Sequence, residues 1–127
     1  MKKVLIVEDN ELNLKLFHDL LVIKKCEVIV SKDGIGINEL VLKEKPSLIL
    51  MDIQINGISG IDLIESLKQN EATKHIPIIV ITAFAMNHDK EKIFQSGCDV
   101  YLSKPVSINS FFDTIGQFIN ITPSKII

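Results

Sequence analysis

The sequence predicts an α/β domain, doubly wound, with a five-stranded parallel sheet in strand order 2-1-3-4-5. Three observations carry that prediction. Short apolar runs recur along the chain, Val4-Leu5-Ile6-Val7, Leu48-Ile49-Leu50-Met51, Ile78-Ile79-Val80-Ile81 and Val100-Tyr101-Leu102. Runs that are apolar at successive positions read as strands covered on both faces, as parallel strands are. Between the runs, apolar residues return at helical spacing, and strand alternating with helix is the pattern of a parallel sheet. The run Glu27 to Ser31 is more polar than the others. It suits an edge, which sets the first and third strands side by side where the winding reverses.

Each element follows in order. Residues 3 to 8 form the first strand, and Asp9 or Asn10 caps a helix in which Leu16, Phe17, Leu20 and Leu21 make one apolar stripe. That helix ends near Lys24-Lys25, where lysines complement the dipole. After the second strand, Asp33 or Gly34 opens a helix carrying Ile37, Leu40 and Val41, and Pro46 stops it. The central strand, Leu48 to Met51, runs straight into Asp52. The stretch Ile53 to Gly60 holds an Asn56-Gly57 pair and a second glycine, so an irregular loop able to fold over that acid is expected. Ile61, Leu63, Ile64 and Leu67 mark a third helix ending before Pro77. The fourth strand, Ile78 to Thr82, leads to a polar helix from Asn87 to Ser96 with only Ile93 and Phe94 to offer a core, and Gly97 as its stop. Such a helix should pack loosely. Val100 to Leu102 is the last strand, and Ile108, Phe111, Phe112, Ile115 and Ile119 mark the final helix. On this reading residues 1–120 are one domain and 121–127 a short tail, with no output domain.

Composition narrows the function. At 127 residues, with 46% hydrophobic and 24% charged residues, the chain fits one globular domain that needs no disulfide staple. Net charge is -2 and all 14 basic residues are lysines. Without the guanidinium fork that grips phosphates and guanine edges, direct nucleic-acid binding is not expected. No signal-peptide pattern opens the chain and no apolar run reaches the roughly 20 residues of a membrane span, so a cytoplasmic protein without membrane insertion is expected. Cys26 and Cys98 lack metal-ligand spacing and read as buried thiols, while His18, His75 and His88 read as solvated.

The chemistry lies at the strand ends. Glu8 and Asp9 close the first strand, Asp52 the third, Thr82 the fourth, and Ser103-Lys104-Pro105 the last. In a parallel sheet all these ends share one edge, where open α/β folds bind ligands. Unit charges about 4 Å apart at an effective dielectric near 20 interact by roughly 4 kcal/mol, so three acids at one rim call for a positive partner. An all-oxygen set suits Mg²⁺, with Lys104 as the second positive group. A carboxylate, a cation, a lysine and a hydroxyl converging on one point form a receptor for a phosphoryl group in transfer. Asp52, ending the central strand, is the best nucleophile, since carboxylates form acyl phosphates. Taken singly, each residue has a plain structural explanation: acids favour helix starts, and a threonine or lysine at a strand end is ordinary. Their joint placement favours the functional reading.

The pieces Val7-Glu8-Asp9-Asn10, Leu50-Met51-Asp52, Gly60, Thr82-Ala83 and Ser103-Lys104-Pro105 together resemble the receiver domain of two-component response regulators. The likeness covers nearly the whole chain and is nearest to the single-domain cell-cycle regulators of that family. It implies a flavodoxin-like fold and a stand-alone switch in a phosphorelay. Asp52 would accept phosphate from a histidine kinase or a histidine phosphotransfer protein. Glu8, Asp9, Asp52 and the backbone carbonyl of Gln54 would hold Mg²⁺. Lys104 would bind the phosphate, Thr82 and Tyr101 would be the switch pair, and Lys104-Pro105 would be a cis peptide. The output would be altered binding of a protein partner through the fourth helix, last strand and final helix. The chain would thus act as a signalling switch that catalyses its own phosphorylation and slow dephosphorylation, not as an enzyme with a separate substrate. Asn56 stands where receivers usually carry proline, and Phe84, opposite Gln54, offers no polar atom to an attacking water, which implies a long-lived phosphoryl group.

Other classes fit less well. A haloacid-dehalogenase-type phosphatase needs a second acid two residues after the nucleophile, where Gln54 stands. A flavin or dinucleotide binder needs a phosphate loop after the first strand, and Glu8-Asp9-Asn10-Glu11 would repel one. A receiver-like binding module that works unphosphorylated is the alternative, and the intact acids, Thr82 and Lys104 count against it.

Overall fold

The computed structural model describes residues 2–55, 58–83 and 87–120. The strands β1 (Lys3–Val7), β2 (Glu27–Ser31), β3 (Leu48–Met51), β6 (Ile78–Thr82) and β7 (Val100–Ser103) form a parallel sheet in the order β2-β1-β3-β6-β7. Counted within that sheet the order is 2-1-3-4-5, as the apolar runs predict. The helices α1 (Glu11–Ile23), α2 (Ile37–Glu44), α3 (Gly60–Gln69), α4 (Asn87–Gln95) and α5 (Ile108–Gly116) connect them.

Strand alternation divides the core into two layers. Leu5, Val7, Ile49, Met51 and Val80 face Ile37 and Val41 of α2, Ile64 and Leu67 of α3 and Ile93 of α4. Val4, Ile6, Leu50 and Ile81 face Phe17 and Leu21 of α1 and Phe111 and Ile115 of α5. The Phe17 and Phe111 rings stack at 5.3 Å between centroids, joining α1 to α5 across the second layer. The thiols of Cys26 and Cys98 are free and buried, as expected.

The structure refines the sequence reading at several edges. Of the two residues offered as the cap of α1, Asn10 fills the role, its Oδ1 accepting from the Asn13 N–H. Helix α2 begins at Ile37 and not near Asp33, because Asp33 Oδ1 accepts from Ile35 N–H and Ser31 Oγ from Gly34 N–H. These side-chain bonds hold a turn in place of a first helical turn. Leu16 and Phe94, expected in the core, are 44% and 52% exposed. Helix α3 ends before Pro77, as expected, stopping at Gln69, and beyond its end Thr73 Oγ1 donates to the Leu67 carbonyl.

After Asp52 the expected irregular loop is a small antiparallel ribbon, β4 (Gln54–Ile55) with β5 (Ile58–Ser59). An Asn-Gly pair between two pairing residues is a hairpin signal in its own right. Asn56 itself, Phe84 and the tail 121–127 lie outside the described residues.

Candidate active site at the carboxyl edge of the sheet

The register of the central strands builds the site. Val7 pairs with Met51, so the next residues, Glu8 and Asp52, leave the sheet side by side. Asp52 N–H donates to the Val7 carbonyl at 2.9 Å, and Glu8 N–H to the Ser31 carbonyl at 3.2 Å. On the other side of β3, Thr82 pairs with Ser103, and Lys104 N–H donates to the Thr82 carbonyl at 3.0 Å. Five parallel strands thus end together and leave their polar successors on one rim.

Lys104 closes the rim. Its ammonium donates to Asp52 Oδ2 and to Glu8 Oε1, both at 2.8 Å. Glu8, Asp52 and Thr82 are buried, while the Lys104 side chain keeps 15% exposure. Burial pushes the Glu8 carboxyl up from its ordinary value; the Lys104 hydrogen bond opposes this and the neighbouring Asp52 charge adds to it. For Lys104 burial alone would act downward, but the hydrogen bonds to Asp52 and Glu8 outweigh it and hold the ammonium pKa above its ordinary value. The lysine therefore stays charged between two carboxylates. The peptide between Lys104 and Pro105 is cis.

Two buried carboxylates gathered at one ammonium form an oxygen-rich, acidic rim. That donor chemistry fits a hard cation such as Mg²⁺. Asp9 is half-buried at the start of α1. Among the described residues no three His, Cys, Asp or Glu side chains are grouped to hold a metal ion. The structure thus brings together Glu8, Asp52 and Lys104. The strand β4 places Gln54 two residues beyond Asp52. Gly60 packs directly on this loop, and a Cβ there would run into the Ile53 backbone.

Tyr101, two residues before Ser103 on β7, is half-buried against the α4 layer. Its ring lies 6.1 Å from that of Phe94, and Lys90 Nζ stands 5.8 Å from its centroid. Sequence reasoning pairs Tyr101 with Thr82 but misses these neighbours, because Phe94 reads as a core residue. It also misses a cleft of about 320 Å³ beside the site, lined by Asn13, Leu16 and Phe17 of α1 and by Lys104, Pro105 and Val106. Leu12, 81% exposed, stands one turn before Leu16. No helix among the described residues is long and apolar enough to cross a membrane.

Comparison with known proteins agrees with this geometry. The profile of the response regulator receiver domain matches residues 4–116. The polar-differentiation response regulator DivK of Brucella anthropi is 46% identical over 118 residues, spanning 93% of this chain and 96% of that protein. Its counterpart in Brucella ovis is 47% identical over the same shares. Among solved structures, the receiver domain of a sensor histidine kinase from Pseudomonas aeruginosa, with a magnesium ion coordinated in its active site cleft, superposes with a TM-score of 0.84. It is 26% identical, over 92% of this chain and 96% of that one. The Vibrio cholerae chemotaxis protein CheY4 shares the fold, with a TM-score of 0.85 at 21% identity over 94% and 99% of the two chains.

Proposed function

This chain belongs to the response regulator receiver domain family, and on that premise we propose that it takes a phosphoryl group from a phosphohistidine onto Asp52 and thereby changes its binding to protein partners. The observation that carries the reading is the convergence of Asp52, Glu8 and Lys104 on one rim, with one ammonium between two carboxylates.

The chain's own residues divide the work. Asp52, fixed by its N–H on the Val7 carbonyl, presents the attacking carboxylate. Glu8, Asp9, Asp52 and the Gln54 backbone carbonyl would hold Mg²⁺, which supplies positive charge to the oxygens of the transferring phosphoryl group. Lys104, held protonated between Asp52 and Glu8, is placed to turn its ammonium onto a new phosphoryl oxygen as Asp52 is modified. Thr82, buried on the adjacent strand, offers its hydroxyl to the same group. A charge near -2 at this rim then biases the arrangement of Thr82, Tyr101 and the face of α4, β7 and α5, which we assign to the downstream partner.

The phosphohistidine donor docks, on this reading, along the exposed apolar side chains of Leu12 and Leu16 and the cleft beside Lys104-Pro105-Val106. Histidine kinases or histidine phosphotransfer proteins are the partners of that chemistry. The name of the DivK relatives supports a role in cell polarity or cell-cycle control.

The test is an intact-mass measurement after incubation with acetyl phosphate, with and without Mg²⁺, on wild type and Asp52→Asn. A single phosphoryl adduct that needs both Mg²⁺ and Asp52 is expected. No adduct from this donor or from a competent histidine kinase would overturn the reading in favour of a module that binds partners without phosphorylation.

A further inference from the structure

The surroundings of Tyr101 hold a group that neither the switch pair nor the phosphoryl site uses. Ser103 Oγ donates to the Tyr101 phenol oxygen at 3.3 Å. Residues two apart on a strand share a face, and Ser103 is also the register partner of Thr82 on β6. Three hydroxyl side chains, Thr82, Ser103 and Tyr101, therefore stand on one side of the sheet. The residue after Ser103 is Lys104, whose ammonium bridges Glu8 and Asp52. Ser103 is thus joined through the chain to the phosphoryl site and through its hydroxyl to the ring.

The three contacts named on the Tyr101 ring differ in what they specify. Tilted packing on Phe94 and attraction to the Lys90 ammonium tolerate rotation and sliding. A hydroxyl contact is directional and constrains the phenol oxygen in a way that the ring contacts do not. From this we infer that Ser103 is a positioning residue for the switch. Its hydroxyl helps to hold Tyr101 beside Phe94 and Lys90, so it sets how readily the ring moves when Asp52 is modified. The inference rests on the reading of Asp52 as phosphoacceptor. At 3.3 Å on an exposed surface the bond is weak, and its loss shifts a two-state balance by about two- to threefold.

The chain has one tyrosine and no tryptophan, so its ultraviolet fluorescence reports on Tyr101 alone. In the metal-free protein, Ser103→Ala is expected to raise quenching of that fluorescence by acrylamide, and Ser103→Thr, which keeps the hydroxyl, to restore the wild-type value. With Mg²⁺ and acetyl phosphate, Ser103→Ala should form the Asp52 adduct about two- to threefold faster, because the ring leaves its place beside Phe94 and Lys90 more easily. That gain should vanish in a Tyr101→Phe background, where no phenol oxygen remains. Unchanged quenching in Ser103→Ala, or a rate gain that persists without the Tyr101 hydroxyl, overturns the inference while a normal wild-type adduct leaves the receiver reading intact. A wild type that forms no Asp52 adduct overturns both.

Discussion

Lys104 Nζ lies 2.8 Å from Asp52 Oδ2, and the same ammonium reaches Glu8 Oε1 at the same distance. A residue from the last strand thus neutralises part of the charge left by the first and third. Lys104 is the positive charge shown between these two carboxylates.

Replacing Lys104 by methionine removes that charge and leaves Glu8 and Asp52 facing each other at a buried rim. A loss of roughly 2–3 kcal/mol is expected, at the low end for unpairing buried charge because the lysine keeps 15% exposure. Mg²⁺ should recover more stability in Lys104→Met than in wild type. Urea denaturation of both proteins, with and without Mg²⁺, checks this. Equal magnesium effects would count against the carboxylates as the cation's ligands.

Gly60→Ala tests the loop behind Asp52. A methyl group at this position meets the Ile53 backbone, which cannot swing aside as a flexible side chain can. The variant should lose about 1–3 kcal/mol and form the Asp52 adduct more slowly than wild type. Denaturation midpoints and adduct time courses read the two effects separately.

Lys68 separates stability from function. Its ammonium donates to the Ile76 carbonyl at 2.8 Å and pairs with Asp99 Oδ2 at 2.9 Å, while Asp99 Oδ2 also accepts the Ile78 N–H. This clamp ties the end of α3 to the starts of β6 and β7, at the edge opposite Asp52. Lys68→Met should cost about 1–3 kcal/mol through unpaired acceptors. The rate of Asp52 phosphorylation below the melting range should stay unchanged, and a large rate change would show that the two edges are coupled.

Cys98 should be inert in the folded protein. Burial first, and then the charge of Asp99, raise its thiol pKa from 9.0 to about 11. A raised folded-state value means that the contribution to stability is complete below pH 9.0 and is lost as the pH rises through about 11. Iodoacetamide at pH 8 should therefore leave Cys98 unmodified in the native protein and alkylate it in urea. Rapid native alkylation, read by mass, would contradict the burial.

Much of the fold was legible because strand and helix announce themselves locally. Four apolar runs became the four inner and last strands, and the polar run Glu27–Ser31 became the edge strand. Helix margins were less legible. Asp33 looks like a helix-opening residue, yet its side chain and that of Ser31 at the strand end bind backbone N–H groups in a turn. Leu16 and Phe94 show a different limit: apolar identity does not say which side of a helix a core will cover, and both lie largely in solvent.

The sequence by itself determined which residues end the strands, and hence that Glu8, Asp52, Thr82 and Lys104 share one edge of a parallel sheet. Period and position along the chain suffice for that. Only the tertiary structure decided that Lys104 lies between Glu8 and Asp52 and that Ser103 touches Tyr101. The reason is register. A strand shifted by one residue turns every side chain to the other face, so the contacts at the rim follow from pairings such as Val7 with Met51 and Thr82 with Ser103, which no single segment encodes.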